Sequence, residues 1–132
     1  MKQSALLGFE SSAFAVIPGE DEHTNPGIYG EALAQWLAEQ LRTRGVSAGG
    51  VIAEDFGWCI PVESNPHSLY VACASAGEEK NHWRVFAFAE GGALARLFGK
   101  GKSAESLLSL FASVRAVLEA APAIQGLREE AA

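Results

Sequence analysis

The stretch that decides the fold is "WRVFAFAE" at 83–90. On an extended chain Trp83, Val85, Ala87 and Ala89 share one face, and Arg84, Phe86, Phe88 and Glu90 share the other, because successive side chains point to opposite sides of a strand. Apolar groups on both faces predict a central strand. A lone arginine on the second face means that the face is open or that the charge is paired.

Working back towards the N-terminus, "GEEKNH" at 77–82 reads as a turn and "LYVACASA" at 69–76 as a strand. There Leu69, Val71 and Cys73 alternate against Tyr70 and Ala72. "ESNPHS" at 63–68 is a second turn. It follows "VIAEDFGWCIPV" at 51–62, which predicts a strand over about 57–62 with Trp58, Ile60 and Val62 on one face. Pro61 places that strand at a sheet edge or near a strand end, since it has no N–H to donate. Such short polar turns join antiparallel neighbours, so the three strands form a meander.

Helices flank this meander. In "IYGEALAQWLAEQLRTR" at 28–44, Tyr29, Leu33, Trp36, Leu37 and Leu41 make one apolar stripe, interrupted only by Gln40. Thr24 or Asn25 is the expected cap, with Pro26 in the first turn and Gly45 just past the end. Gly30 weakens the helix and marks a close backbone approach. The second helix is "SAESLLSLFASVRAVLEAAP" at 103–122, capped by Ser103, with Leu107, Leu110, Phe111, Val114, Val117, Leu118 and Ala121 on a wide apolar face. Residues 93–98 suggest a short helical turn. An N-terminal strand is expected over about 13–17, and Leu6, Leu7 and Phe9 either begin it or form a separate segment. Residues from about 123 read as a weakly structured tail.

These elements predict an α+β, two-layer domain over 1–132, in the order β-α-β-β-β-α, with a mainly antiparallel sheet of about four strands and two amphipathic helices on one face. If the helices cover the Trp83 face, Tyr70, Arg84, Phe86 and Phe88 line the other. An aromatic-rich open sheet face implies a partner, a ligand groove or a second copy of the chain.

Composition narrows the classes. The 132 residues are 48% hydrophobic and 20% charged, enough for a real core. A net charge of -6 argues against a nucleic-acid binder, which needs a basic face. The apolar run in "MKQSALLGFE" ends at Glu10, too short for a secretory signal, and no run reaches the ~20 residues that span a bilayer. A soluble, cytoplasmic protein with no membrane contact is expected. Cys59 and Cys73 lack CxxC spacing and lie in apolar stretches, so two buried thiols are preferred to a disulfide.

No catalytic, cofactor or metal signature is present: GxGxxG, GxxxxGK[ST], HExxH and GxSxG are all missing. Glu54 and Asp55 are adjacent, so on an extended chain they point apart and rarely meet at one atom. Cys59 has no local signature pairing it with His23, His67 or His82, all three of which fall in expected loops. "GEDEHTN" at 19–25 gathers Glu20, Asp21, Glu22 and His23 but lacks the spacing of a calcium loop. It reads as an acidic interaction loop suited to a basic partner.

"NPGIYGEALAQWLAEQL" at 25–41 followed by "EDFGWCIPV" at 54–62 resembles a recurring pattern in small bacterial domains: an Asn-Pro-Gly helix start, then a Glu-Asp-aromatic-Gly-Trp strand. The resemblance covers about a third of the chain and carries no activity. Small acidic domains of this size include immunity proteins encoded beside toxins, an analogy of size and fold only. The expected function is therefore a non-catalytic binding domain for a protein partner, toxin neutralisation being one version and self-association another. Its contact residues would be Glu20, Asp21, Glu22, His23, Glu54, Asp55, Tyr70, Arg84 and Phe86. The alternative is a small enzyme or ligand-binding protein with a pocket near Asp55, Trp58, His67 and Arg84.

Overall fold

The computed structural model describes residues 2–64, 67–77, 81–89 and 100–130. In chain order the elements are β1 (Lys2–Gln3), β2 (Leu6–Glu10), a 3-10 turn (Glu20–Glu22), α1 (Glu31–Thr43), β3 (Ile52–Glu54), β4 (Gly57–Ser64), β5 (His67–Ser75), β6 (His82–Ala89), α2 (Lys100–Ala120) and β7 (Gln125–Glu130).

The meander forms as expected. β4 pairs with β5, with Trp58 opposite Cys73, and β5 pairs with β6, with Val71 opposite Ala87. The sheet is wider than about four strands. Six lie side by side in the order β3-β4-β5-β6-β2-β7, all neighbours antiparallel, and β1 pairs with β6 beside β2. β1 and β2 follow the same edge of β6, with one extra residue between them: Gln3 faces Phe88 and Leu7 faces Val85. Ser4 closes this bulge, because its N–H donates to the Ala87 carbonyl and its hydroxyl accepts from the Ala87 N–H.

Four expectations are corrected. The N-terminal strand is Leu6–Glu10, not 13–17. Leu7 and Phe9 face the core there, whereas after Ser11 the chain turns and, within 12–17, only Phe14 is buried. The tail contains β7, an edge strand, because its backbone groups pair with β2. Helix α1 begins at Glu31 rather than near 28, since residues 28–30 are occupied elsewhere. The Ser75 N–H donates to the Tyr29 carbonyl, and the Ser75 hydroxyl accepts from the Tyr29 N–H. Helix α2 begins before Ser103, so that residue is inside the helix and not its cap. The helical turn expected at 93–98 and Glu90 lie outside the described residues.

Gly30 is the close approach that its position predicted. It sits at φ 151°, and a Cβ there would lie 2.7 Å from the Cys73 carbonyl oxygen. Gly45 ends α1 as expected, at φ 87°. Pro61 lies where β3 no longer flanks β4. Its carbonyl accepts from the Gly49 N–H across that edge, and no donor is required of Pro61 itself.

Both helices lie on the Trp83 face. Leu33, Leu37 and Leu41 of α1 and Leu110, Val114 and Leu118 of α2 form one cluster with Trp58, Ile60, Val71, Trp83 and Val85. Helix α2 packs on β6, while α1 packs on β4 and β5. The Trp83 indole N–H donates to the Ser11 carbonyl at 3.0 Å, so its one polar atom is satisfied inside the core.

Candidate functional surface

With the helices on the Trp83 face, the other face of the sheet divides into two halves. Over β4, β5 and β6 it is aromatic. Tyr70 stacks on Phe88 at 5.1 Å between ring centroids, Phe86 meets Phe88 at 5.8 Å, and Phe56 meets its edge at 5.9 Å. Cys59 and Ala72 are buried beneath these rings. Phe88 is itself buried, but Phe56 is 44% exposed and Ile52, on the same face, 41%.

Over β6, β2 and β7 the same face is ionic. The Arg84 Nε donates to Glu130 at 3.0 Å, Glu130 meets Arg128 at 3.4 Å, Arg128 meets Glu10 at 3.0 Å, and Glu10 approaches His82 at 3.6 Å. Gly8 makes this chain of charges possible. It faces both Arg84 and Arg128 in register, and with no side chain of its own it leaves room for the Glu130 carboxylate above it. The hydrogen bond to Glu10 is the largest cause raising the Arg128 pKa.

The acidic loop lies at one end of this sheet. The Asn25 N–H donates to the Asp55 carbonyl at 2.8 Å, and the His23 ring stands edge-on to Trp58 at 6.4 Å. The structure thus brings Glu22, His23, Glu54 and Asp55 to the same rim, all exposed. Asp21 is half-buried and accepts from the Gly27 N–H. Glu20 departs from this group. It is 3% exposed, and its carboxylate accepts from the N–H groups of Ile17 (2.7 Å), Gly30 (2.7 Å) and Glu31 (3.1 Å). Glu20 therefore caps α1 in place of Thr24 or Asn25, and its charge suits the positive end of the helix. The Thr24 hydroxyl instead donates to the Ile28 carbonyl.

The rim owes its shape to a second tight glycine. Asp55 and Phe56 form the turn between β3 and β4, and Gly57 follows at φ 151°. A Cβ on Gly57 would lie 2.6 Å from the same Cys73 oxygen that Gly30 approaches. Two glycines distant in sequence thus press on one carbonyl and bring the loop and the turn together.

The positions of the alternative pocket do not converge. Trp58 faces the core and Arg84 the opposite side, where Glu130 engages it. His67 opens β5, six residues before Cys73, the partner of Trp58; at ~3.3 Å per residue that is about 20 Å away. His67 and His82 are strand residues, not loop residues. Cys59 is fully buried, and its thiol is pushed up to about 12, first by burial and then by the Glu54 charge. Such a thiol is a poor nucleophile at neutral pH. Cys73 lies on the neighbouring strand but faces the helices, so both thiols are free, as preferred. Burial also raises the Cys73 pKa. Among the described residues no three His, Cys, Asp or Glu side chains are grouped to hold a metal, and no helix is long and apolar enough to cross a membrane.

Sequence reasoning found the aromatic half but not the contributions of Glu10, Arg128 and Glu130. The 124–130 segment hides its strand character because the register with β2 shifts between Gly8 and Glu10, with Gly126 at φ 63°. The half-buried Ile124 and Leu127 therefore fall three apart rather than two or four. The Asn-Pro-Gly and Glu-Asp-aromatic-Gly-Trp pattern attaches the chain to no family: no protein-family model, no curated protein and no solved structure matches it.

Proposed function

We propose that this protein is a non-catalytic binding domain whose partner is a protein, held by the sheet face opposite the helices and by the adjoining acidic rim. The observation that carries this reading is the exposed Phe56 ring. It continues the Tyr70–Phe86–Phe88 cluster outward, shares its face with exposed Ile52, and is bordered by Glu54 and Asp55. An aromatic anchor with a charged border is the arrangement that concentrates binding energy in protein interfaces. The acidic rim and the net charge of -6 favour a partner with a basic surface. Neutralising a basic toxin is one such role.

The test is a parallel capture from the native host with the wild-type chain and Phe56→Asp as baits. Phe56 is at a turn and exposed, so the substitution leaves the fold intact, which circular dichroism checks. A protein retained by the wild type and lost from Phe56→Asp supports the reading. Equal retention by both baits, or retention by neither, counts against it.

A further inference from the structure

We propose that β7 is an exchangeable strand, and that in concentrated protein it leaves its own β2 and pairs with β2 of a second copy. β7 is lightly held. Among the described residues it packs on β2 and on no other element to a comparable extent. Its ladder is broken by the register shift at Gly8/Glu10, and its apolar anchors, Ile124 and Leu127, are only half-buried. The other links are exposed ion pairs: Arg128 with Glu10, Arg84 with Glu130, and Arg115 of α2 with Glu129. Such pairs contribute little in water and weaken with salt.

The connection to β7 is short and open. Only residues 121–124 join the end of α2 to β7, and they reverse the chain on two hydrogen bonds, Ala121 N–H to the Leu118 carbonyl (3.3 Å) and Ile124 N–H to the Ala121 carbonyl (3.1 Å). Pro122 and Ala123 are exposed, and with Phe14 and Trp36 this linker walls an apolar groove of about 330 Å³. Open space therefore lies beneath the hinge where packing would hold it. A connection this short favours strand exchange, because once it extends it cannot fold back on its own sheet, while every other contact is remade with the second copy. That second copy is the matching occupant. Its Arg128 and Glu130 arrive in the register that meets Glu10 and Arg84, and an unrelated strand would not supply them. The exchanged dimer carries two aromatic faces on one molecule, which multiplies the avidity for any partner with repeated sites.

The test uses the full chain. Leu6 faces Glu130 in register, and facing residues on antiparallel strands lie within disulfide reach. In the Leu6→Cys, Glu130→Cys double variant the native thiols, both buried, do not compete. Oxidised in dilute solution, the pair should close within one chain; oxidised after concentration, it should give a covalent dimer on a non-reducing gel. Closure within one chain at every concentration overturns the proposal. A second measurement needs no cysteines. Light scattering on concentrated wild-type protein should show a dimer, and inserting Gly-Ser-Gly-Ser between Pro122 and Ala123 should abolish it by relaxing the hinge. A wild-type monomer under these conditions, or a dimer indifferent to the insertion, also overturns it.

Discussion

Trp83 and Arg84 are neighbours in the chain and face opposite sides of one sheet. Trp83 is 1% exposed with its single polar atom bonded to Ser11, whereas the Arg84 side chain is 52% exposed and paired with Glu130. The difference separates two tasks. The helix-covered face makes the fold through burial, which is proportional to area removed from water. Among the described side chains of the opposite face only the small Cys59–Ala72–Phe88 cluster is buried; its exposed ion pairs add little to stability, and its exposed ring and charges are free to meet a partner.

The largest expected effect breaks the first of these faces. Trp83→Ala should lower stability by about 3–5 kcal/mol, the range for truncating a buried aromatic residue, and it strips the Ser11 carbonyl of its donor as well. Arg84→Ala should stay within about 1 kcal/mol of wild type, as exposed ion pairs usually do. Urea denaturation of the two variants decides the point, and comparable losses would abolish the distinction between the faces.

The same contrast separates two glutamates of the expected contact set. Glu20 is buried among three backbone donors, while Glu54 lies exposed at the end of β3. Glu20→Ala leaves those donors unpaired and should cost about 2–3 kcal/mol, combining a lost helix cap with lost charge-assisted hydrogen bonds. Glu54→Ala should change stability by less than ~0.5 kcal/mol. Thermal melts of both variants provide the check, with near-equal midpoints as the outcome that refutes it.

Why one glutamate is structural and the other is not could not be read from the chain. Both sit in acidic, glycine-containing stretches, and composition assigns them to one class. The deciding contact spans ten residues, from Glu20 to Gly30, and no periodicity encodes it. What period-two alternation encodes was legible. Trp58 and Ile60, Leu69 and Val71, Trp83 and Val85 each share a face as the alternation groups them, and that face is the core, with Tyr70, Arg84 and Phe86 on the other; which of the two the helices cover was not encoded in the alternation. The helical stripes Leu33–Leu37–Leu41 and Leu107–Leu110–Val114 were legible for the same reason. Pairing between chain ends was not. β2 and β7 meet across more than a hundred residues, and the bulge at Gly8/Glu10 scrambles the alternation that would have announced β7.

Alkaline pH gives a smaller effect that reports on both faces, since Cys59 lies under the aromatic half and Cys73 under the helices. Burial raises the Cys59 pKa from the ordinary 9.0 to about 12. Below pH 9 the thiol is protonated whether the chain is folded or not, and its contribution to stability is fully present. Between 9 and about 12 the unfolded chain releases its proton while the folded chain keeps it, so stability falls as pH rises. At pH 10, one unit above the ordinary value, this amounts to roughly 1 kcal/mol. Urea midpoints of wild type and Cys59→Ala should converge as pH rises from 8 to 10; a constant gap would contradict the burial of Cys59 beneath the rings.

The smallest effect concerns the ionic half alone. Arg128→Gln removes the arginine at Glu10 and one of the two arginines at Glu130, yet the ladder between β2 and β7 remains. Global unfolding should scarcely move, because the core cluster of α1, α2 and β4 to β6 does not include Arg128. Local opening should move instead. Amide exchange of β7 should quicken in the variant while amides of β5 and β6 keep their protection, since opening free energies differ between a lightly held edge and the core. At about 1 M salt, where the Debye length is ~3 Å, wild type and variant should exchange alike. If the difference persists at that salt, the charges are not what holds β7. If β5 and β6 quicken too, the ionic half and the core form one cooperative unit, and the two sides of the sheet are energetically inseparable.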